Sequence, residues 1–304
     1  RLWENVVGRK MYLTGGIGAR HDRERFGDDY ELPNLTGYLE TCASIGMAFW
    51  NHRMFLLTGE AGYLDVMERV MYNGVLAGVS LDGTLFFYPN PLESDGKYRF
   101  NKGRAGRAPW FGVACCPGNV SRFLPSVPGY VYATKGDALY VNMFIAGEAK
   151  VGLEGNTVGI KQETRYPWDG RVTLTVLSDG PAPYDLFLRI PGWCEGATMT
   201  VNGESAAFEA VRGYARLRRT WKKGDTIALA LDMRPHFWAR EPQEGERDLE
   251  LTWTLFGPTP RPEPDPDRDR PLKRLAEWMA GNRAEGQTTV IVCGSRARAE
   301  RLQE

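Results

Sequence analysis

The stretch VACCPGN sets Cys115 beside Cys116 in a chain with only three other cysteines, Cys42, Cys194 and Cys293. A disulfide between immediate neighbours is strained, because bridged Cα atoms normally sit further apart than consecutive ones. Metal binding or reactive-thiol chemistry is the sharper reading. Glu40 stands two residues before Cys42, and three thiolates with one carboxylate make a tetrahedral donor set for zinc, a borderline-soft ion that accepts both ligand types. In a regular helix, residues two apart point roughly 200° away from each other. Joint ligation by Glu40 and Cys42 therefore calls for a break near a helix start. The competing reading of each cysteine alone is a small buried apolar residue.

The elements that must position these residues change character along the chain. Residues 36–78 hold two apolar-periodic runs joined at TGEAG, the pattern of a helical hairpin. Leu39, Cys42, Ile45 and Phe49 keep helical spacing in the first run, and Leu64, Met67 and Met71 do so in the second; both stripes read as core. After about residue 134 the period becomes two. ALYVNMFI, RVTLTVLS, YDLFLRI, TMTVNG, YARLRR and TIALALDM are short β-rich runs between Gly, Asp and Asn turns, which is a β-sandwich pattern. RPEPDPDRDRP at 261–271 reads as a linker. Beyond it, LKRLAEWMAG reads as a helix stopped by Gly281 and TTVIVCG as a strand.

Composition narrows the partners. A chain of 304 residues exceeds one ordinary domain, so two structured regions are expected, and 42% hydrophobic with 25% charged content is normal for a globular protein. Thirty-eight basic residues cancel 38 acidic ones, leaving no net field to draw in nucleic acid or an anionic membrane. A neutral small molecule is the natural partner. No run of about eighteen apolar residues offers a membrane span, and the start, RLWENVVGRKMYLTGG, lacks an initiator Met and a signal pattern, so it reads as cut from something longer. An odd number of irregularly spaced cysteines points away from a disulfide framework and toward a reducing, cytoplasmic setting. TGGIGARH has His21 where a dinucleotide fingerprint needs its third glycine, and so reads as a turn. His21, His52 and His236, the three histidines of the chain, point away from a histidine-rich metal site. The N-x-[ST] triplets at Asn34 and Asn119 matter only in a glycosylating host. No pattern fixes an oligomeric state.

In order along the chain, KMYLTGGIG, ERFGDDYELPN, YLETCAS, FFYPNPLES, WFGVACCPGNVSRFL, LYVNMFI, YPWDG, LRIPGWC and W-x-KGD resemble glycoside hydrolase family 127, the β-L-arabinofuranosidase family. The resemblance spans roughly residues 1–234. It implies a mixed fold, α then β: part of an (α/α)6 catalytic barrel over 1–133, a β-sandwich over 134–240, and a linker and tail over 241–304 with no assigned role. A long N-terminal portion of the barrel would precede Arg1. The implied activity is that of a retaining, zinc-dependent glycosidase with a cysteine nucleophile, acting on neutral carbohydrate in the form of β-L-arabinofuranosides. Carried over, the zinc ligands are Glu40, Cys42, Cys115 and Cys116, the nucleophile is Cys115, and the general acid/base is Glu24. The family has Gly-Glu at that last place, and Arg23 stands here for the glycine. A general acid needs a raised pKa, from burial or from a negative cluster nearby. Without the resemblance, Glu24 reads as an exposed partner of Arg23 or Arg25. Tyr88, Trp110 and Phe111 are candidates to pack on the apolar face of a sugar. The alternative from another class is a non-catalytic carbohydrate-binding or structural fragment with a structural zinc site. A thiol-redox protein would want a C-x-x-C motif, which the sequence lacks.

Overall fold

The computed structural model describes residues 1–234. The linker, helix and strand read from the sequence after residue 240, together with His236 and Cys293, lie outside the described residues. The chain opens on a single turn, α1 (Leu2–Asn5), which widens into a π-helical turn at Val6–Lys10. The glycine-rich segment that follows makes a turn, closed by Gly15 N–H donating to Tyr12 O and Tyr12 N–H donating to Gly16 O. KMYLT contributes only an isolated bridge, Met11 to Ile17, and no strand.

The expected hairpin forms from α2 (Thr41–Thr58) and α3 (Ala61–Arg69), with α3 continuing through a π turn at Val70–Val75. Gly59 ends α2 at φ 72°, a left-handed cap that costs glycine little because it has no Cβ. Gly74 lets the π turn lie against α2, since a Cβ there would stand 2.8 Å from Ser44 Oγ. Leu39, Ile45, Leu64, Met67 and Met71 are buried as expected. Phe49 is not. It is 36% exposed, edge-on to Phe123 at 5.7 Å, and Cys42 turns toward a thiol cluster instead of the main helical core.

Residues 79–114 carry no helix or strand, only bridges such as Val79 to Phe86 and Phe86 to Ala108. They lead into α4 (Cys115–Ser126) and the short α5 (Pro128–Val131). Eleven strands follow: β1 (Tyr132–Lys135), β2 (Ala138–Val141), β3 (Gly147–Leu153), β4 (Asn156–Thr164), β5 (Arg171–Val176), β6 (Ala182–Arg189), β7 (Ala197–Val201), β8 (Glu204–Ser205), β9 (Glu209–Val211), β10 (Tyr214–Trp221) and β11 (Thr226–Leu231). They form two sheets, ordered β1-β2-β6-β10-β9 and β3-β4-β5-β11-β7-β8. Among the described residues only β2 with β6 is a parallel pair. Six of these strands lie in the period-two runs of the sequence. The edge strand β3 does not: Ala149, Val151 and Leu153 turn one face to the core, but Gly147 and Gly152 at its ends and the charged Glu148 and Lys150 obscure the alternation.

The two sheets share one core. Leu139, Val141, Leu186, Leu188 and Leu217 from the first meet Val158, Ile160, Val172, Leu174, Ile227 and Leu229 from the second. Alternation along a strand sends the intervening residues the other way. Ala138, Phe187 and Tyr214 therefore join the core built by α2, α3 and α4. The first sheet is thus the wall against which the helices are set. Arg189, fully buried at the end of β6, pins this contact by an ion pair with Asp65 of α3 at 2.6 Å, another with Glu68, and a hydrogen bond to Asn142 O at 2.6 Å.

Candidate metal centre and active site

Glu40 occupies the N-cap of α2 in extended backbone (φ −58°, ψ 135°), so it escapes the helical geometry that would turn it away from Cys42. This is the break at a helix start that joint ligation requires. Cys115 and Cys116 are the first two residues of α4. Pro117 follows in its first turn, where a missing N–H costs nothing. Two helix N-termini therefore converge on one spot, and their unpaired N–H groups favour negative charge there.

The four side chains meet. Their ligand atoms lie within 4.8 Å of one another. Cys42 Sγ is 3.3 Å from Cys116 Sγ, Cys115 Sγ is 3.8 Å from Cys116 Sγ, and Glu40 Oε1 is 3.4 Å from Cys115 Sγ and 3.6 Å from Cys116 Sγ. With zinc–sulfur and zinc–oxygen lengths of about 2.3 and 2.0–2.2 Å, a regular tetrahedron sets S···S near about 3.8 Å and S···O near about 3.5 Å. Three of these four separations fit the ion, and Cys42–Cys116, at 3.3 Å, is shorter than a tetrahedron sets it. Charge argues the same way: a hydrogen bond with Cys116 holds the Cys42 thiol below its usual range, whereas burial pushes Cys115 up, and bonding to Cys42 with burial pushes Cys116 up. A divalent cation among the three would favour the thiolate form of each.

Beside the cluster lies a cavity of about 610 Å³, lined among others by Glu24, Tyr88, Lys102, Arg104, Trp110 and Phe111. All three aromatic residues singled out in the sequence stand on its wall. Phe111 packs edge-on to Tyr88 at 5.5 Å, and Trp110 is 64% exposed. Tyr88 joins cavity to cluster, its Oη 3.0 Å from Cys115 Sγ. Cys116 is fully buried, while Cys115 is only partly so.

Glu24 is not buried. Its side chain is 49% exposed; Tyr38 Oη donates to it at 2.5 Å, and Lys102 Nζ lies 3.6 Å away. Nor does it pair with its neighbours, since Arg25 bonds Asp22 instead. Lys102 also donates to Tyr38 Oη at 2.9 Å and sits 4.1 Å from the centre of the Tyr88 ring. Burial pushes both tyrosines up, with Glu24 adding to Tyr38 and Cys115 adding to Tyr88, so both phenols remain donors. Sequence reasoning missed Tyr38, Lys102 and Asn119, the last of which donates to Cys42 Sγ at 3.1 Å. A signal for Asn119 did exist: it stands three residues after Cys116, the spacing of one helical face.

Fold and site together define a class of chains in which a helical region bearing a carboxylate–cysteine cluster leads into paired sheets. Residues 1–129 match the model of the β-L-arabinofuranosidase GH127 catalytic domain, and residues 138–233 match that of the GH127 middle domain. The chain belongs to glycoside hydrolase family 127. It is 40% identical over 243 residues to the non-reducing end β-L-arabinofuranosidase of Bifidobacterium longum subsp. longum, which covers 77% of this chain and 36% of that protein. A solved GH127 β-arabinofuranosidase superposes with a TM-score of 0.72 at 47% identity, over 77% of this chain and 38% of the other. A GH127 β-L-arabinofuranosidase from Geobacillus stearothermophilus T6 does so with a TM-score of 0.74 at 43% identity, over 79% and 39%. The chain thus spans less than two fifths of the length of each of these relatives.

Proposed function

We propose that this chain carries the reacting groups of a retaining glycosidase for β-L-arabinofuranosides, with zinc held by Glu40, Cys42, Cys115 and Cys116. Residues 1–133 would then be part of an (α/α)6 barrel, residues 134–240 a β-sandwich, and 241–304 a tail outside both. One observation carries the reading: a four-residue Glu/Cys donor set touches, through Cys115, the Tyr88 that lines a cavity also lined by a carboxylate, Glu24. Bound zinc would keep its cysteine ligands as thiolates at neutral pH.

Cys115 is the cysteine suited to attack, because it touches the cavity-lining Tyr88 while Cys116 is sealed beneath it. Its sulfur would form a bond to the anomeric carbon as the glycosidic C–O bond breaks. Glu24 would give the leaving oxygen its proton, then take one from the water that releases the sugar, the two-step logic of retention with sulfur in place of the usual second carboxylate. Trp110 and Phe111 offer apolar faces to the sugar ring. Tyr38 and Lys102 hold Glu24 at the cavity edge.

Replacing Cys115 by Ser in the full-length protein should abolish hydrolysis of an aryl β-L-arabinofuranoside, and retained turnover would sink the nucleophile assignment. Glu24→Gln should lower kcat by about 10²–10⁴-fold on alkyl glycosides. The loss should be smaller on aryl glycosides, whose leaving groups need less protonation.

A second reading, a carbohydrate-binding or structural fragment with a structural zinc, is favoured by the surroundings of Glu24, which are exposed and cationic. Glycan binding without turnover by the full-length protein would support it.

A further inference from the structure

The face of α4 that begins with the cysteines continues through Asn119 to Arg122, at three-residue steps from Cys116. Asn119 Nδ2 donates to Cys42 Sγ at 3.1 Å, across from one helix to the other. An asparagine amide can turn over, presenting oxygen in place of nitrogen, and an oxygen facing a thiolate would repel it. Arg122 prevents this. Its Nη2 donates to Asn119 Oδ1 at 3.1 Å, and a guanidinium, which has no acceptor, accepts only the oxygen as partner. The amide hydrogens are left aimed at sulfur.

Three thiolates and a carboxylate carry four negative charges, of which a divalent ion cancels two. The surplus has to be met by outer hydrogen bonds. Cys115 has Tyr88, and Cys42 has Asn119. From this geometry we propose that Asn119, oriented by Arg122, is a positioning residue of the zinc centre that holds Cys42 in place as a ligand. The proposal rests on the zinc reading above. Outer partners of this kind typically contribute about 10–100-fold to metal affinity, and Asn119 would do so for Cys42 from the neighbouring helix.

The experiment is zinc affinity by competition with a chromogenic chelator, on this chain and on its Asn119→Leu, Asn119→Asp and Arg122→Met variants. Far-UV circular dichroism of the metal-free proteins controls for folding, and Arg122 is exposed, so its replacement leaves the core untouched. Asn119→Leu and Asn119→Asp should bind zinc about 10–100-fold more weakly. Arg122→Met, which frees the amide to turn, should show a smaller loss in the same direction. With cobalt in place of zinc, the thiolate-to-metal charge-transfer band should weaken in the Asn119 variants as Cys42 is held less well. Parent-like affinity in folded Asn119 variants would overturn this proposal alone. A folded parent that binds no zinc would overturn the zinc reading as well.

Discussion

Arg23 and Glu24 sit at φ 58° and φ 50°, in the left-handed region that side chains other than glycine enter at a cost. The chain turns sharply at this place and brings the Glu24 carboxylate to Tyr38 and Lys102. Substituting Arg23→Gly removes roughly 1–2 kcal/mol of left-handed strain and restores roughly 0.5–1 kcal/mol of chain entropy to be lost on folding. The net gain should be up to about 1.5 kcal/mol, read as a rise of a few degrees in the thermal midpoint; a fall would mean that the Arg23 side chain makes a stabilising contact of its own. A different residue sets a pH dependence. His52, edge-on to Tyr130 at 4.7 Å, has its pKa lowered by burial and then by Arg53. A depressed histidine binds fewer protons folded than unfolded, so its stability is present above the ordinary value near 6.5 and is lost as pH falls below it. Thermal midpoints at pH 7.5 and 5.5 should therefore differ less in His52→Phe than in the parent, and an equal difference would refute the assignment. At this scale the gathering of Glu40, Cys42, Cys115 and Cys116 was legible because cysteine is rare and its neighbours tell. The Lys102–Tyr38 and Asn119–Cys42 contacts were not, because they join distant chain, 64 and 77 residues apart; for Asn119 only its place three residues after Cys116 could be read.

Among elements, the hairpin was legible from its period and its glycine stop, whereas α4 was hidden by Pro117 and Gly118 directly after the cysteines. Both residues break helices in the interior but are tolerated in a first turn. Sheet strands with alternating apolar residues could be read, yet nothing local in LFLRIPGW marks Arg189 as buried, since an arginine at a strand end is ordinarily solvated. Tertiary structure explains it: Asp65 and Glu68 are one helical turn apart on α3, and Tyr166 Oη also donates to Glu68 at 2.6 Å. Burial pushes the Glu68 carboxyl up, and the guanidinium and phenol pull it back. Arg189→Met would strand a fully buried carboxylate and should destabilise the protein by about 3–5 kcal/mol, measured by urea unfolding. Adding Glu68→Gln should recover part of the loss, because the pair couples. Additive losses in the double variant would show that the ion pair does not fasten the helices to the sheet.

For the whole molecule, the change of period near residue 134 announced a helical part followed by a sheet part, and the order proved right. What it could not announce is that the first sheet serves two cores at once, a property of how both faces of β6 are covered and not of any one strand. This arrangement predicts where zinc would act. Glu40 and Cys115 are 75 residues apart in sequence, so an ion held by both stretches closes a long stretch of chain, and its binding energy becomes folding energy. At free zinc about 100-fold above Kd the gain should be about 2.7 kcal/mol, lost on adding a chelator. The loss should be local. Residues 79–114 lack regular structure and are held through a small core of Tyr38, Tyr88, Ala108, Phe111 and Cys116 beside the cluster, whereas β5, β7 and β11 belong to the core between the sheets. Hydrogen exchange after chelation should therefore quicken in 79–114 and the first turn of α4, and stay unchanged in β5, β7 and β11. Equal quickening in both would mean that the ion, the helices and the two sheets form one cooperative unit, with the shared first sheet transmitting the loss.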